Sequence, residues 1–200
     1  MIYLIITCSI QTKYDPVNES HRKNLYLSSI QQTLKLLEGT AIKPILVENN
    51  GLRSTYLDTL GCDVVYTNNN QVTYKQKAVN ELLDIKEVIE KYKMLDTDTI
   101  IKLTGRYMPL DTHFFELVQG SECEAFVKFF NVCTRQFMHD DCVLGFFAIK
   151  VKYMKQFSYE CKVSPEVEFA RFVRTIPNIK EVNSLSLRCC FANNLKILDV

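Results

Sequence analysis

This 200-residue sequence predicts an α/β fold: a doubly wound, mostly parallel sheet flanked by helices, with a mixed second half. Three observations carry that reading. Short β-branched runs, IYLIIT at 2–7, KPILVE at 43–48, CDVVYT at 62–67 and TIIKL at 99–103, have the profile of strands buried on both faces. Segments of helical periodicity lie between them. The resulting order, β-α-β-x-β-α-β, requires right-handed crossovers between parallel strands.

Each element has its own justification. The first strand is followed by a polar loop in which Asp15-Pro16 marks a turn. Leu25, Ile30, Leu34 and Leu37 then recur at near-helical spacing, with Asn18 or Ser20 as the cap and Gly39 as the end of that helix. Asn49-Asn50-Gly51 stops the second strand, and the triple Asn at 68–70 stops the third. The segment 80–93, NELLDIKEVIEKYK, places Leu82, Ile85, Ile89 and Tyr92 on one helical face. In the second half, AFVKFF (125–130) and GFFAIK (145–150) are aromatic-rich strands, and YMKQF (153–157) is a short helix. SPEVEFARFVR (164–174) is a helix with Ser164 as cap, Pro165 in the first turn, and Glu166 and Glu168 at the positive end of the dipole. The tail from Ser184 adds one or two strands.

Length suits one domain over 1–200, in two halves of different character, 1–110 and 111–200. The apolar last residues are compatible with continuation into a longer protein. The composition, 47% hydrophobic and 24% charged, is that of an ordinary globular chain. A net charge of +1, with basic residues scattered, gives no field for nucleic acid. MIYLIITCSI is far shorter than the roughly 20 residues of a membrane span, and it lacks the basic leader of a signal peptide. The eight cysteines show no CxxC and no paired spacing, so free thiols and a cytoplasmic location are expected.

In open α/β sheets, ligands bind outside the carboxyl ends of the strands. Those ends carry Thr7-Cys8-Ser9, Glu48-Asn49-Asn50-Gly51 and Thr104-Gly105-Arg106, a set of small, acidic and amide groups suited to a base and a ribose. Neither GxGxxG nor GxxxxGK[ST] is present, which argues against a dinucleotide enzyme and a P-loop nucleotidase. Cations for phosphate are Arg106, Lys102, Lys75 and Lys77, with Gly105 allowing a close backbone approach. Arg106 has a salt bridge as its structural alternative, and the two loop lysines have a solvated surface. Asp96-Thr97-Asp98 has the form of a metal-binding DxD, but it precedes its strand and so lies at the end away from the crevice.

VENNG, TYLD-x-LG, YTNNN, the ELLDI helix and DTIIKLTGRY together resemble small GT-A-type glycosyltransferases of large DNA viruses and bacterial surface-polysaccharide clusters, over roughly residues 1–175. The resemblance implies a nucleotide-sugar donor, a UDP-sugar by expectation, and a glycan or glycoprotein acceptor. A viral source would place the chain in host cytoplasm. It implies nucleoside contacts from Thr7, Ser9 and Glu48, and Arg22 at the base or ribose unless that side chain is solvated. Most GT-A members hold Mn or Mg on a DxD after the fourth strand; here TGR stands in that place, so metal dependence stays open. Asp140-Asp141 offer oxygen ligands for such an ion or for acceptor hydroxyls. A general base is expected from Glu166 or Glu168, since an acid at the start of a late helix serves inverting members, with Asp140 and Asp141 as the other candidates. His139 could serve beside them. Tyr107, Phe129, Phe130, Phe137, Phe146 and Phe147 either floor an acceptor site or belong to the core. Two rival functions remain: a nucleotidyltransferase, which would normally show a Gly-rich loop after the first strand, and a non-catalytic nucleotide- or sugar-binding module.

Overall fold

The computed structural model describes residues 1–11, 19–51, 53–71, 77–190 and 197–200. The expected Asp15-Pro16 turn, the Asn18 cap and Lys75 lie outside them.

Four strands, β1 (Ile2–Cys8), β2 (Ile42–Glu48), β3 (Asp63–Tyr66) and β4 (Thr99–Thr104), are parallel and adjacent in the order β3-β2-β1-β4. β4 is buried along its whole length and β1 after its first residue, which is why their sequences are continuous apolar runs rather than alternating ones. Register places Thr7 opposite Thr104, and Cys8 opposite Glu48. The carboxyl ends of three strands are therefore level, and their loops converge.

The mixed half continues the same sheet. β7 (Phe146–Lys150) runs antiparallel to β4, followed by β6 (Ala125–Val127) and β8 (Ile179–Glu181), for seven strands in all. A second sheet of three strands contains β5 (Met108–Pro109), β9 (Leu187–Cys190) and β10 (Ile197–Asp199). α1 (Glu19–Leu36) and α3 (His113–Gln119) cover one face of the large sheet through Tyr26, Ile30, Phe114, Phe115 and Val118. α2 (Lys77–Lys91), α4 (Val151–Gln156) and α5 (Pro165–Val173) cover the other through Leu82, Ile85, Val88, Met154, Phe169 and Val173. Each helix needs an apolar stripe only on its sheet side, which explains the periodicity seen in 80–93.

Several expectations are corrected. The strand expected over 125–130 ends at Val127; Lys128 and Phe130 instead bond through single backbone contacts to Val143 and Asp141. Ser20 lies inside α1 rather than capping it. Of the aromatics expected either in the core or under an acceptor, Phe129, Phe146 and Phe147 are core, whereas Phe137 is 62% exposed. α3, β5 and β8 had no separate signal, being seven, two and three residues long. Ser164 does cap α5, its Oγ accepting from the Val167 N–H. All eight cysteines are free. Among the described residues, no helix is long and apolar enough to cross a membrane.

Candidate functional site

The crevice at the carboxyl ends of β1, β2 and β4 has a polar side and a cationic side. The polar side is a buried network. Glu48 is fully buried, and its carboxylate accepts from the Ile10 N–H at 3.4 Å, the Asn50 N–H at 3.0 Å and Asn50 Nδ2 at 2.6 Å. It thus ties the loop after β1 to the loop after β2. Asn70 Nδ2 donates to Ser9 Oγ at 3.0 Å and to Asn50 Oδ1 at 2.7 Å, bringing in the loop after β3. Thr7 is buried, with its hydroxyl directed at the Leu103 carbonyl. Beneath these loops Asp84 of α2 accepts from Thr67, Asn69 and Asn49. Two amide oxygens, Asn49 Oδ1 and Asn80 Oδ1, are buried without a hydrogen-bond partner. Unpaired buried acceptors are uncommon and mark places where a donor is missing.

The cationic side is assembled from three elements. Arg22 of α1 reaches over the Tyr26 ring and donates from Nε to the Ser9 carbonyl at 3.0 Å, so it holds the loop after β1. Arg106 follows β4; its Nη1 donates to the Cys190 carbonyl at the end of β9, and its Nε is buried without a partner. Lys77 opens α2. Burial lowers its ammonium pKa, and the charges of Arg106 and Arg22 lower it further against the opposing pull of Glu81. Lys77 therefore shares one field with Arg106 and Arg22, tempered by the carboxylate of Glu81.

One residue takes a role that differs from the expectation. Lys102 does not face the crevice: it is buried, with Nζ 2.6 Å from Thr104 Oγ1, 3.0 Å from the Leu144 carbonyl and 2.6 Å from Glu81 Oε2. An ammonium has three N–H donors, and all three are used. Gly105 is enclosed by protein atoms on the side where a side chain would stand. A Cβ there would lie 2.9 Å from Cys8 Sγ and 2.9 Å from the Tyr26 ring.

Glu81 is the residue that sequence reasoning missed. It stands one turn after Lys77 on α2, and its only sequence signal is that spacing. Its side chain is 31% exposed, paired to Lys102, at the edge of a pocket of about 20 Å³ that also takes in Leu144, Phe147, Tyr159 and Phe169. That volume holds about one water. Burial raises the Tyr159 phenol pKa, and the acidic groups around it, Glu81 first and then Cys142, Glu166 and Glu168, push it up further.

The other candidate acids differ in how they are engaged. Glu168 accepts from the Glu160, Lys162 and Val163 N–H groups; burial would raise its carboxyl pKa, but these bonds outweigh it and hold the carboxyl below the usual range. Asp140 pairs with Arg171 at 3.2 Å, and buried Asp141 accepts from Asn131 at 2.6 Å. Among the described residues, the Glu166 carboxylate has no ion pair or hydrogen bond. Asp96 and Asp98 lie at the amino end of β4, Asp96 paired with Lys155 and Asp98 with the Met1 ammonium, each at 2.6 Å. The place where a GT-A-type metal would sit, after β4, holds Thr104, Gly105 and Arg106. No group of three His, Cys, Asp or Glu side chains gathers as cation ligands among the described residues. The donor set at that place does not fit a divalent ion.

No protein-family model matches the sequence, and no curated protein matches it either. Solved structures do match in shape. The galactosyltransferase LgtC, in complex with donor and acceptor sugar analogues, superposes with a TM-score of 0.52 at 8% identity over 92% of this chain and 73% of its own. A protein described as a nucleotide-diphospho-sugar transferase from Desulfovibrio desulfuricans gives 0.56 at 7% identity, over 90% and 78%. The fold is GT-A-like. A 4-diphosphocytidyl-2C-methyl-D-erythritol synthase, with a TM-score of 0.57 at 11% identity over 92% and 90%, shares it. The GT-A-like fold thus accommodates more than one kind of transfer, and the chemistry of this chain has to be argued from its own site.

Proposed function

We propose that this chain transfers a sugar from a nucleotide-sugar donor, a UDP-sugar by preference, to a glycan or glycoprotein acceptor. The observation that carries the reading is the convergence of Arg22, Lys77 and Arg106 at the crevice mouth, next to the amide-rich loops after β2 and β3. A nucleoside fits the polar side and its diphosphate fits the cations. As the sugar departs, charge builds on the leaving diphosphate oxygens, and cations already in position stabilise it without reorganising. In this reading no divalent ion is required, because Arg106 occupies the place of the usual carboxylates. The guanidinium fork suits phosphate oxygens, and Arg106 has an unpaired N–H to give. In this reading Glu166 takes the proton of the attacking hydroxyl, supported by its carboxylate having no ion pair or hydrogen bond among the described residues.

Nucleotidyl transfer uses the same fold, but the loop Thr7-Cys8-Ser9-Ile10-Gln11 lacks the glycines expected around an attacked triphosphate. Calorimetric titration with UDP, UDP-sugars and GDP-sugars, in Mn and then in EDTA, tests the reading. Binding of a UDP-sugar that survives EDTA supports the cation-based site. Binding that needs Mn overturns the metal-free mechanism, and no binding of any nucleotide overturns the reading itself. Binding without release of UDP in the presence of acceptors points to a non-catalytic module.

A further inference from the structure

Asp84 has no part in the sequence-based account of the crevice. It is fully buried on α2, and its carboxylate accepts three side-chain donors: Thr67 Oγ1 at 2.6 Å, Asn69 Nδ2 at 2.7 Å and Asn49 Nδ2 at 2.8 Å. Asn49 belongs to the loop after β2, Thr67 and Asn69 to the loop after β3. The same loops are joined by backbone bonds from the Gly51 N–H to the Thr67 carbonyl and from the Asn70 N–H to the Asn49 carbonyl. We propose that ionised Asp84 is the positioning residue for the nucleoside side of the crevice, holding the loops after β2 and β3 in the arrangement that binds a nucleotide. This rests on the nucleotide-transfer reading above.

The chemistry of the three donors favours the ionised form. A carboxylate accepts only, whereas a protonated carboxyl turns one oxygen into a donor. A proton on the oxygen facing Asn49 meets an NH2 that cannot accept it, whereas a proton on the oxygen shared by Thr67 and Asn69 can be taken by the rotated Thr67 hydroxyl; in either case both amides are left with a neutral, weaker acceptor. Charged and titratable neighbours are few. Glu81 and Glu87 lie on the same helix, Cys8 ends β1, Glu48 ends β2, and Lys102 of β4 is already paired with Glu81. No cation lies within ion-pair distance of Asp84 among the described residues. Burial, the largest influence, raises the Asp84 pKa to about 6 against the three hydrogen bonds that lower it, and Glu81 adds to the rise. Protonation therefore falls within an accessible pH range.

The test uses UDP-glucose, whose diphosphate lacks the terminal phosphate group that titrates near pH 6. In the unaltered protein its Kd should be about tenfold weaker at pH 5 than at pH 7.5, since only the ionised fraction is competent. Asp84→Asn should bind more weakly with a flat profile over that range. Thr67→Val, which removes one bond to the ionised form and keeps the shape of the side chain, should move the midpoint up by about one pH unit. A merely structural role would not move the midpoint. In parallel, NMR of the ligand-free protein should show the Asn49 and Asn69 side-chain amides shifting together with the Asp84 midpoint, and not at all in Asp84→Asn. Silent amides, or a binding profile that Asp84→Asn leaves as it was, would overturn the inference. Titrating amides in a protein that binds no nucleotide at any pH would instead remove the transferase reading and leave the loop clamp standing.

Discussion

At the residue scale the decisive side chain is Arg106. Its Nη1 is committed to the Cys190 carbonyl, while its Nε is buried with nothing to donate to. An unpaired buried guanidinium N–H is costly, and a phosphate oxygen is the acceptor best matched to it. Arg106→Ala should therefore weaken binding of a nucleoside diphosphate by roughly 1.5 to 3 kcal/mol, the range of hydrogen bonds to charged groups. Calorimetry on a variant shown by circular dichroism to be folded checks this, and unchanged affinity would take Arg106 out of the site. Lys102 gives the contrasting case. Lys102→Met should leave Glu81 without its partner and lower stability by about 2 to 3 kcal/mol, less than a fully enclosed pair because Glu81 is partly exposed. Chemical denaturation measures that loss. The two cations are four positions apart in the same sequence motif, yet one belongs to the proposed diphosphate site and the other is paired with an acid.

At the element scale, the two ends of β4 divide the labour. Its amino end carries Asp96 and Asp98, engaged with Lys155 and the Met1 ammonium, and its carboxyl end carries Thr104, Gly105 and Arg106. Replacing both acids with Asn should cost about 1 to 2 kcal/mol of stability through the lost charge-assisted bonds of buried Asp98. It should leave UDP-sugar affinity unchanged in Mn and in EDTA. A Mn-dependent loss of binding would put a metal at the wrong end of the strand and refute this division. The four parallel strands were legible in the sequence because burial on both faces demands uninterrupted apolar runs, and their order followed from the helices between them. The rule that ligands meet strand carboxyl ends then marked Thr7, Ser9, Glu48, Asn49 and Arg106 as the loops to watch. Side-chain direction was not legible. Lys102 follows Ile101 in a fully buried strand, and no local pattern says that Glu81, 21 positions earlier, neutralises it. Likewise α3 and β8 are too short to express a period, so their places were fixed only by packing against the sheet.

At the scale of the whole molecule, the candidate site sets part of the pH dependence of stability. Asp84 has an ordinary carboxyl environment when the chain is unfolded and a pKa of about 6 when folded. Its folded state therefore holds a proton more tightly than its unfolded state between about pH 4 and 6. Stability from this group is fully present below the unfolded value and is lost as pH rises through the folded one. The size follows from the shift, about 1.4 kcal/mol per unit, and comes to roughly 3 kcal/mol as an order of magnitude. Lowered carboxyls such as Glu168 work in the opposite sense, losing their contribution as pH falls, so the total curve alone does not isolate Asp84. The difference between the unaltered protein and Asp84→Asn does. Measured by urea unfolding from pH 4 to 7.5, that difference should move in favour of the variant by roughly 3 kcal/mol as pH rises. A pH-independent difference would mean that the carboxylate is solvated in the folded protein, and with it would go the tight network beneath the β2 and β3 loops. The expected outcome has a direct reading: the fold keeps a buried charge that lowers its stability at neutral pH, at the one place where that charge orders three strand-end donors.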